Sequence, residues 1–171
     1  MTTEKSSSKH WYLKVGCVIL PVAALGIVAA RLIPIVLDSQ QAGKQVQAIV
    51  DIYKMGQAIE VYKADHEYVP SATDMTGLAA ALGRRWSSSI QSLDPWQHPY
   101  RYACWQESPA VKGCDHYRIA CAGRDGRFEH PDLKAYSLAT FDRKSYDRDI
   151  VWADGHLLVW PRLWTPSPSS P

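Results

Sequence analysis

From residue 15 to residue 37 the chain carries apolar and small side chains, with Arg31 as its single charge. At about 1.5 Å per residue, a helix of that length crosses the roughly 30 Å hydrocarbon core of a bilayer. Past residue 37 the composition turns polar, yet apolar residues recur at Ala48, Ile52, Met55, Ile59 and Tyr62. Steps of four and three put these side chains on one side of a helix. The pattern predicts one long helix over about 12–65, its lower half in lipid and its upper half carrying a small domain. Pro34 kinks such a helix without ending it, because the helical period resumes beyond it. Arg31, near the outer end of the apolar run, can reach the headgroups with its long stem. The helix stops before Pro70, which bars continuation and biases Val69 to extended geometry.

Beyond the helix the periods shorten. Ser71 and Thr73 are candidate N-caps for a short Ala- and Leu-rich helix over 75–82, with Gly83 as its C-terminal cap. Residues 100–104 and 117–122 read as two strands joined by a polar loop containing Pro109 and Gly113. A second pair, 150–152 and 157–160, is joined at Asp154-Gly155, residue types that accept the left-handed backbone of a hairpin turn. The fold class is therefore α+β, one long N-terminal helix packed on a small antiparallel sheet of about four strands. The boundaries are a cytoplasmic tail at 1–11, a transmembrane segment at 12–37, an outer domain at 38–164 and a Pro/Ser tail at 165–171. Both tails have little to bury and are expected to be disordered.

Composition adds orientation and removes some functions. The 171 residues leave room for one membrane helix and one modest core. A formal charge of +2, with no basic run longer than Arg84-Arg85, argues against nucleic acid as a partner. Lys5, Lys9 and Lys14 stand just before the apolar run against a single Glu4. By the positive-inside rule the N-terminus is cytoplasmic and the outer domain periplasmic. A cleaved secretory signal ending near Val28-Ala29-Ala30 is the competing reading, but the apolar run continues past Arg31.

Four cysteines are present: Cys17 in the apolar run and Cys104, Cys114 and Cys121 in the outer domain. A Cys104–Cys114 disulfide would staple the loop between two strands, and a Cys104–Cys121 pairing is the alternative. The spacing of these cysteines with His116 is too loose for zinc. Cys114-Asp115-His116 joins thiol, acid and imidazole, but neighbours on a strand point to opposite faces. His98, His130 and His156 are isolated, and no nucleophile elbow, metalloprotease helix or phosphate loop occurs. No catalytic residue is expected, and the chain does not read as an enzyme.

Several stretches carry a resemblance. Gly26-Ile27-Val28-Ala29-Ala30 with Pro34 resembles the N-terminal helix signature of type IV pilins and pseudopilins. Asp51-Ile52, Tyr62-Lys63-Ala64-Asp65 and Tyr68-Val69-Pro70 are similar to the corresponding run of the type II secretion major pseudopilins, and so is Thr76-Gly77-Leu78-Ala79. Asp94-Pro95-Trp96-Gln97-His98-Pro99-Tyr100 resembles that family's D-P-W-G-N-P-Y motif. Two prolines four apart around an aromatic stiffen a loop, so this motif reads as scaffold.

The resemblance implies a pilin-like fold and a structural pseudopilin subunit of a type II secretion apparatus, assembling through its helix. Its implied partners are other pseudopilins or copies of itself, inner-membrane secretion components and membrane lipid. Aligned on Gly26 and Pro34, Tyr12 stands where the family's cleavage glycine belongs and Cys17 where its glutamate belongs, so no prepilin peptidase site is recognisable. That departure favours the alternative, a membrane-anchored periplasmic binding module that reuses the pilin fold outside a filament.

Gly123-Arg124-Asp125-Gly126 and Asp147-Arg148-Asp149-Ile150 resemble the family's calcium loop. The resemblance implies calcium as cofactor, with Asp125, Asp147 and Asp149 as metal ligands, and hard oxygen donors suit that ion. Arg124 replaces a small residue of the family, and a long insertion over 128–146 separates the two halves. Lys134, Arg143, Lys144 and Arg148 offer the aspartates an alternative positive partner.

Overall fold

A computed structural model describes residues 7–86, 89–110 and 112–162, with side chains from residue 30 onward. Helix α1 runs over Ser7–His66. The chain divides after Gln40 into two compact units. Most of the expected transmembrane segment, 12–37, lies outside the residues whose side chains are described. Among the described residues no helix is long and apolar enough to cross a membrane. In the first unit Leu32, Ile33, Ile35, Val36 and Leu37 are each more than half exposed.

The second unit is built on the remaining turns of α1. Ala48, Ile52, Met55 and Ile59 are fully buried, at the positions the helical period marks, and Ala58 joins them. Tyr62 packs at the margin of the same core. The helix ends with Glu67 in left-handed backbone (φ 68°), its N–H donating to the Lys63 carbonyl at 2.8 Å. Helix α2, Met75–Leu82, buries Met75, Leu78 and Leu82. Its N-cap is Asp74, whose Oδ1 accepts from the Gly77 N–H at 2.7 Å, and neither Ser71 nor Thr73 takes that place. The carboxylate immediately before the first helical residue meets the orphan amides with the better geometry. Gly83 caps the other end with φ 74°.

Among the described residues the sheet has five strands, where about four were expected: β1 Arg101–Trp105, β2 His116–Cys121, β3 Ala139–Asp142, β4 Ile150–Ala153 and β5 His156–Arg162. Their spatial order is β1-β2-β4-β5-β3. Three pairings are antiparallel, and β3 runs parallel to β5 at one edge. β3 lies within the 128–146 insertion, where the sequence pattern marked no strand. The insertion is tied down by the Arg118 guanidinium, which donates to the Leu133 and Tyr136 carbonyls. The Asp154-Gly155 hairpin forms as expected, with φ of 43° and 89°.

Helix and sheet meet through a polar chain inside the core. The Trp152 indole N–H donates to the Tyr117 hydroxyl at 3.0 Å, and that hydroxyl donates to Glu60 Oε1 on α1 at 2.7 Å. Of the two cysteine pairings open in the sequence, Cys104–Cys114 is the one present, across the β1–β2 loop. Cys121 is free and buried.

Candidate functional site

The cluster that holds the candidate metal ligands assembles at one end of the sheet. β2 and β4 are neighbours, and Cys121 pairs with Ile150. The residues following β2 therefore lie beside those preceding β4. Gly123 (φ 70°) is the close approach: a Cβ there would stand 2.7 Å from the Tyr146 carbonyl oxygen and 2.8 Å from that of Arg148. Only glycine lets the two backbones come so near. The Arg124 amide then donates to the Tyr146 carbonyl at 2.8 Å.

The aspartate-rich run reads differently in space than in sequence. Asp147 is gripped by Arg124, whose Nε donates to Oδ1 and Nη2 to Oδ2, each at 2.7 Å. Two parallel charge-assisted bonds form the planar fork that arginine and carboxylate favour. The hydrogen bond to Arg124 holds the Asp147 carboxyl below its ordinary pKa. Both side chains are about half exposed, so solvent screens much of this pair's energy.

Asp149 is fully buried. Its Oδ2 accepts from the Glu129 N–H at 2.8 Å and from the Tyr136 hydroxyl. Its Oδ1 has no hydrogen-bond partner among the described residues. Burial pushes the Asp149 carboxyl pKa up, against the lowering effect of those two donors. Asp125 is exposed and caps its own turn, accepting from the Arg127 N–H at 3.0 Å. Among the described residues no three or more His, Cys, Asp or Glu side chains are grouped so as to hold a metal ion.

The D-P-W loop adjoins this cluster and forms a scaffold. Asp94 is almost fully buried. Its Oδ1 accepts from the Trp96 and His98 amides at 2.8 and 2.9 Å, and its Oδ2 from the Cys121 thiol at 3.2 Å. The thiol is pushed well above its ordinary pKa, by burial first and by Asp94 next. The Trp96 indole N–H donates to Gln41 on α1 at 2.7 Å, joining loop to helix. His98 Nδ1 lies 3.0 Å from the Gly123 carbonyl, which makes this nitrogen the protonated one of the bond.

Sequence reasoning named the three aspartates but missed their partners. It looked for a positive partner within the insertion, whereas Asp147 is held by Arg124, the residue noted only as a departure. Arg148 pairs instead with Glu129, at 2.7 Å. Asp94 has a legible signal, an Asp two residues before an amide in a proline-bounded turn. Nothing in the pattern discloses the Tyr136 hydroxyl on Asp149. Cys114 is bonded to Cys104 and Cys121 is buried, so neither is an exposed thiol.

Comparison with known proteins gives one consistent result. Residues 35–136 match the family described as Type II secretion system (T2SS), protein G. The chain is 31% identical over 121 residues to the type II secretion system core protein G of Vibrio cholerae, covering 64% of this chain and 79% of the relative. It is 30% identical over 122 residues to the protein of the same name from Pseudomonas aeruginosa, covering 64% of this chain and 82% of that one. No solved structure matches significantly.

Proposed function

This chain belongs to the type II secretion system protein G family, and we infer from that premise that it is a structural pseudopilin subunit of a type II secretion apparatus. The observation that carries the reading is the match over residues 35–136, which takes in the upper part of α1, α2, the D-P-W loop, β1 and β2. The work of such a subunit is burial. Leu32, Ile33, Ile35, Val36 and Leu37 are exposed in the first unit, and in the second Val46 and Val50 are exposed apolar residues of α1. Exposed apolar side chains on α1 are ones that lipid or a neighbouring subunit would cover. Residues 15–37 anchor the chain in the inner membrane, with the N-terminus cytoplasmic and the sheet-bearing unit periplasmic. Neighbouring copies or other pseudopilins cover the helix above the lipid.

One observation favours a second reading. Cys17 stands where the family carries a glutamate in its membrane helix, and an anchored periplasmic module outside a filament has no use for that charge. Cysteine crosslinking in cells that carry the apparatus separates the two. With Val46→Cys and Val50→Cys, a subunit of a filament gives a ladder of crosslinked species, and loss of the chain stops secretion. Species no larger than dimers, with secretion intact in a deletion strain, would establish the anchored module.

A further inference from the structure

From the geometry around Gly123 we propose that the Arg124 guanidinium closes these two loops in the place a bound calcium would occupy, so that the periplasmic unit is built without a metal. The inference rests on membership of the family and goes beyond the secretion reading. Calcium asks for about six to eight oxygen ligands in one shell. Here the oxygens are spent elsewhere. Both Asp147 oxygens receive the Arg124 fork at 2.7 Å. The Tyr146 carbonyl receives the Arg124 amide, so the same residue holds the opposite loop by backbone and by side chain. Asp149 Oδ2 already accepts two donors, and Asp125 Oδ1 accepts the Arg127 amide. Among the described residues Asp149 Oδ1 is the buried oxygen of this cluster left without a hydrogen-bond partner, and one oxygen does not make a calcium shell.

The electrostatics point the same way. A divalent ion joining Asp147 would sit beside a fixed guanidinium, and like charges at that range repel. The guanidinium also lies over the Tyr146 ring, 5.9 Å from its centroid, which fixes the plane in which the fork is presented. Gly123 is what makes the substitution of cation for cation possible. It brings residue 124 against the 146–148 backbone, close enough for the arginine to reach Asp147.

The test uses the full chain in detergent, treated with EGTA and then melted with and without about 2 mM calcium chloride, with a calorimetric titration of calcium alongside. The wild-type midpoint is expected to shift by less than about 1 °C between the two conditions, with no saturable heat. Arg124→Gln is expected to lower the midpoint by roughly 2–5 °C in both, the loss of one half-exposed bidentate pair. Saturable calcium binding with a rise of several degrees in the wild-type midpoint would overturn the proposal. So would an Arg124→Gln midpoint equal to that of wild type. Should that variant fail to fold, Arg124→Lys keeps the charge without the fork, and the wild-type titration decides the metal question by itself. None of these readouts depends on filament assembly, so failure here leaves the secretion reading to its own crosslinking test.

Discussion

Gly56 offers the sharpest test of how the helix seats on the sheet. In a helix interior alanine is favoured over glycine by about 1 kcal/mol, so a Gly→Ala change on an open helix face stabilises. At position 56 a Cβ would stand 2.4 Å from Nε1 and 2.5 Å from Cε2 of Trp152. Real atoms do not approach so closely, and the indole has little freedom to retreat. Its N–H is bonded to the Tyr117 hydroxyl, and the Tyr53 ring meets it edge-on with centroids 5.6 Å apart. Overpacking of this kind costs about 1–3 kcal/mol, and loss of the indole–hydroxyl bond adds about 1. Set against the propensity gain, Gly56→Ala should destabilise by about 1–3 kcal/mol, a midpoint lower by roughly 4–12 °C for a domain of this size. Gly43 is the internal control, because it lies in the same helix with nothing within 4 Å of its Cβ position. Gly43→Ala should raise the midpoint by a few degrees. Near-UV circular dichroism melts of the full chain in detergent follow the loss of tertiary packing around its aromatic residues, Trp152 among them. A Gly56→Ala protein as stable as the Gly43→Ala protein would refute the close seating of α1 on β4.

Three further expectations follow from the same contacts. Replacing Cys104 and Cys114 by serine should lower stability by about 3 kcal/mol, the chain-entropy value for a cross-link between residues separated by 10 in sequence, read as a lower urea midpoint. Asp94→Ala strands the Trp96 and His98 amides and should cost about 2–4 kcal/mol, read as a lower urea midpoint; an unchanged midpoint would count against the Asp94 hub. The hydrogen bond to Asp154 at 2.9 Å raises the His116 pKa above 6.5, so its contribution is fully present below 6.5 and is lost as pH rises through the higher folded value. With both side chains partly exposed the term is a few tenths of a kcal/mol. Stability should fall slightly over that pH window, and a His116→Gln variant should flatten the profile there.

Much of this fold is legible in the sequence because local rules and burial agree. Ala48, Ile52, Met55 and Ile59 repeat with the helical period and occupy the core. Asp154-Gly155 carries the backbone its turn needs, and the cysteines at 104 and 114 flank a loop short enough to staple. The unreadable parts are those set by partners distant in sequence. Ala139–Asp142 has no strong alternation, and it is a strand only because the β5 edge beside it has free backbone groups. Its parallel direction follows from where the insertion returns, which no local pattern encodes. The fork between Arg124 and Asp147 was hidden for a similar reason, since their proximity depends on Gly123 lying against a backbone more than twenty residues away. The Asp74 cap is the opposite case. Its signal was local and complete, but two hydroxyl residues upstream competed with it.

The position of β5 has a bearing on how the chain comes into being. The last strand among the described residues lies in the sheet's interior, between β4 and the earlier-made β3. During synthesis β3 emerges with no neighbour to bond, and it must wait until His156–Arg162 has followed before its backbone is paired. A product that ends between residues 142 and 156 would leave β3 with bare amides and carbonyls. The order of strands thereby works as a completeness check. Only once His156–Arg162 is in place do β4 and β3 both have their partner in the sheet.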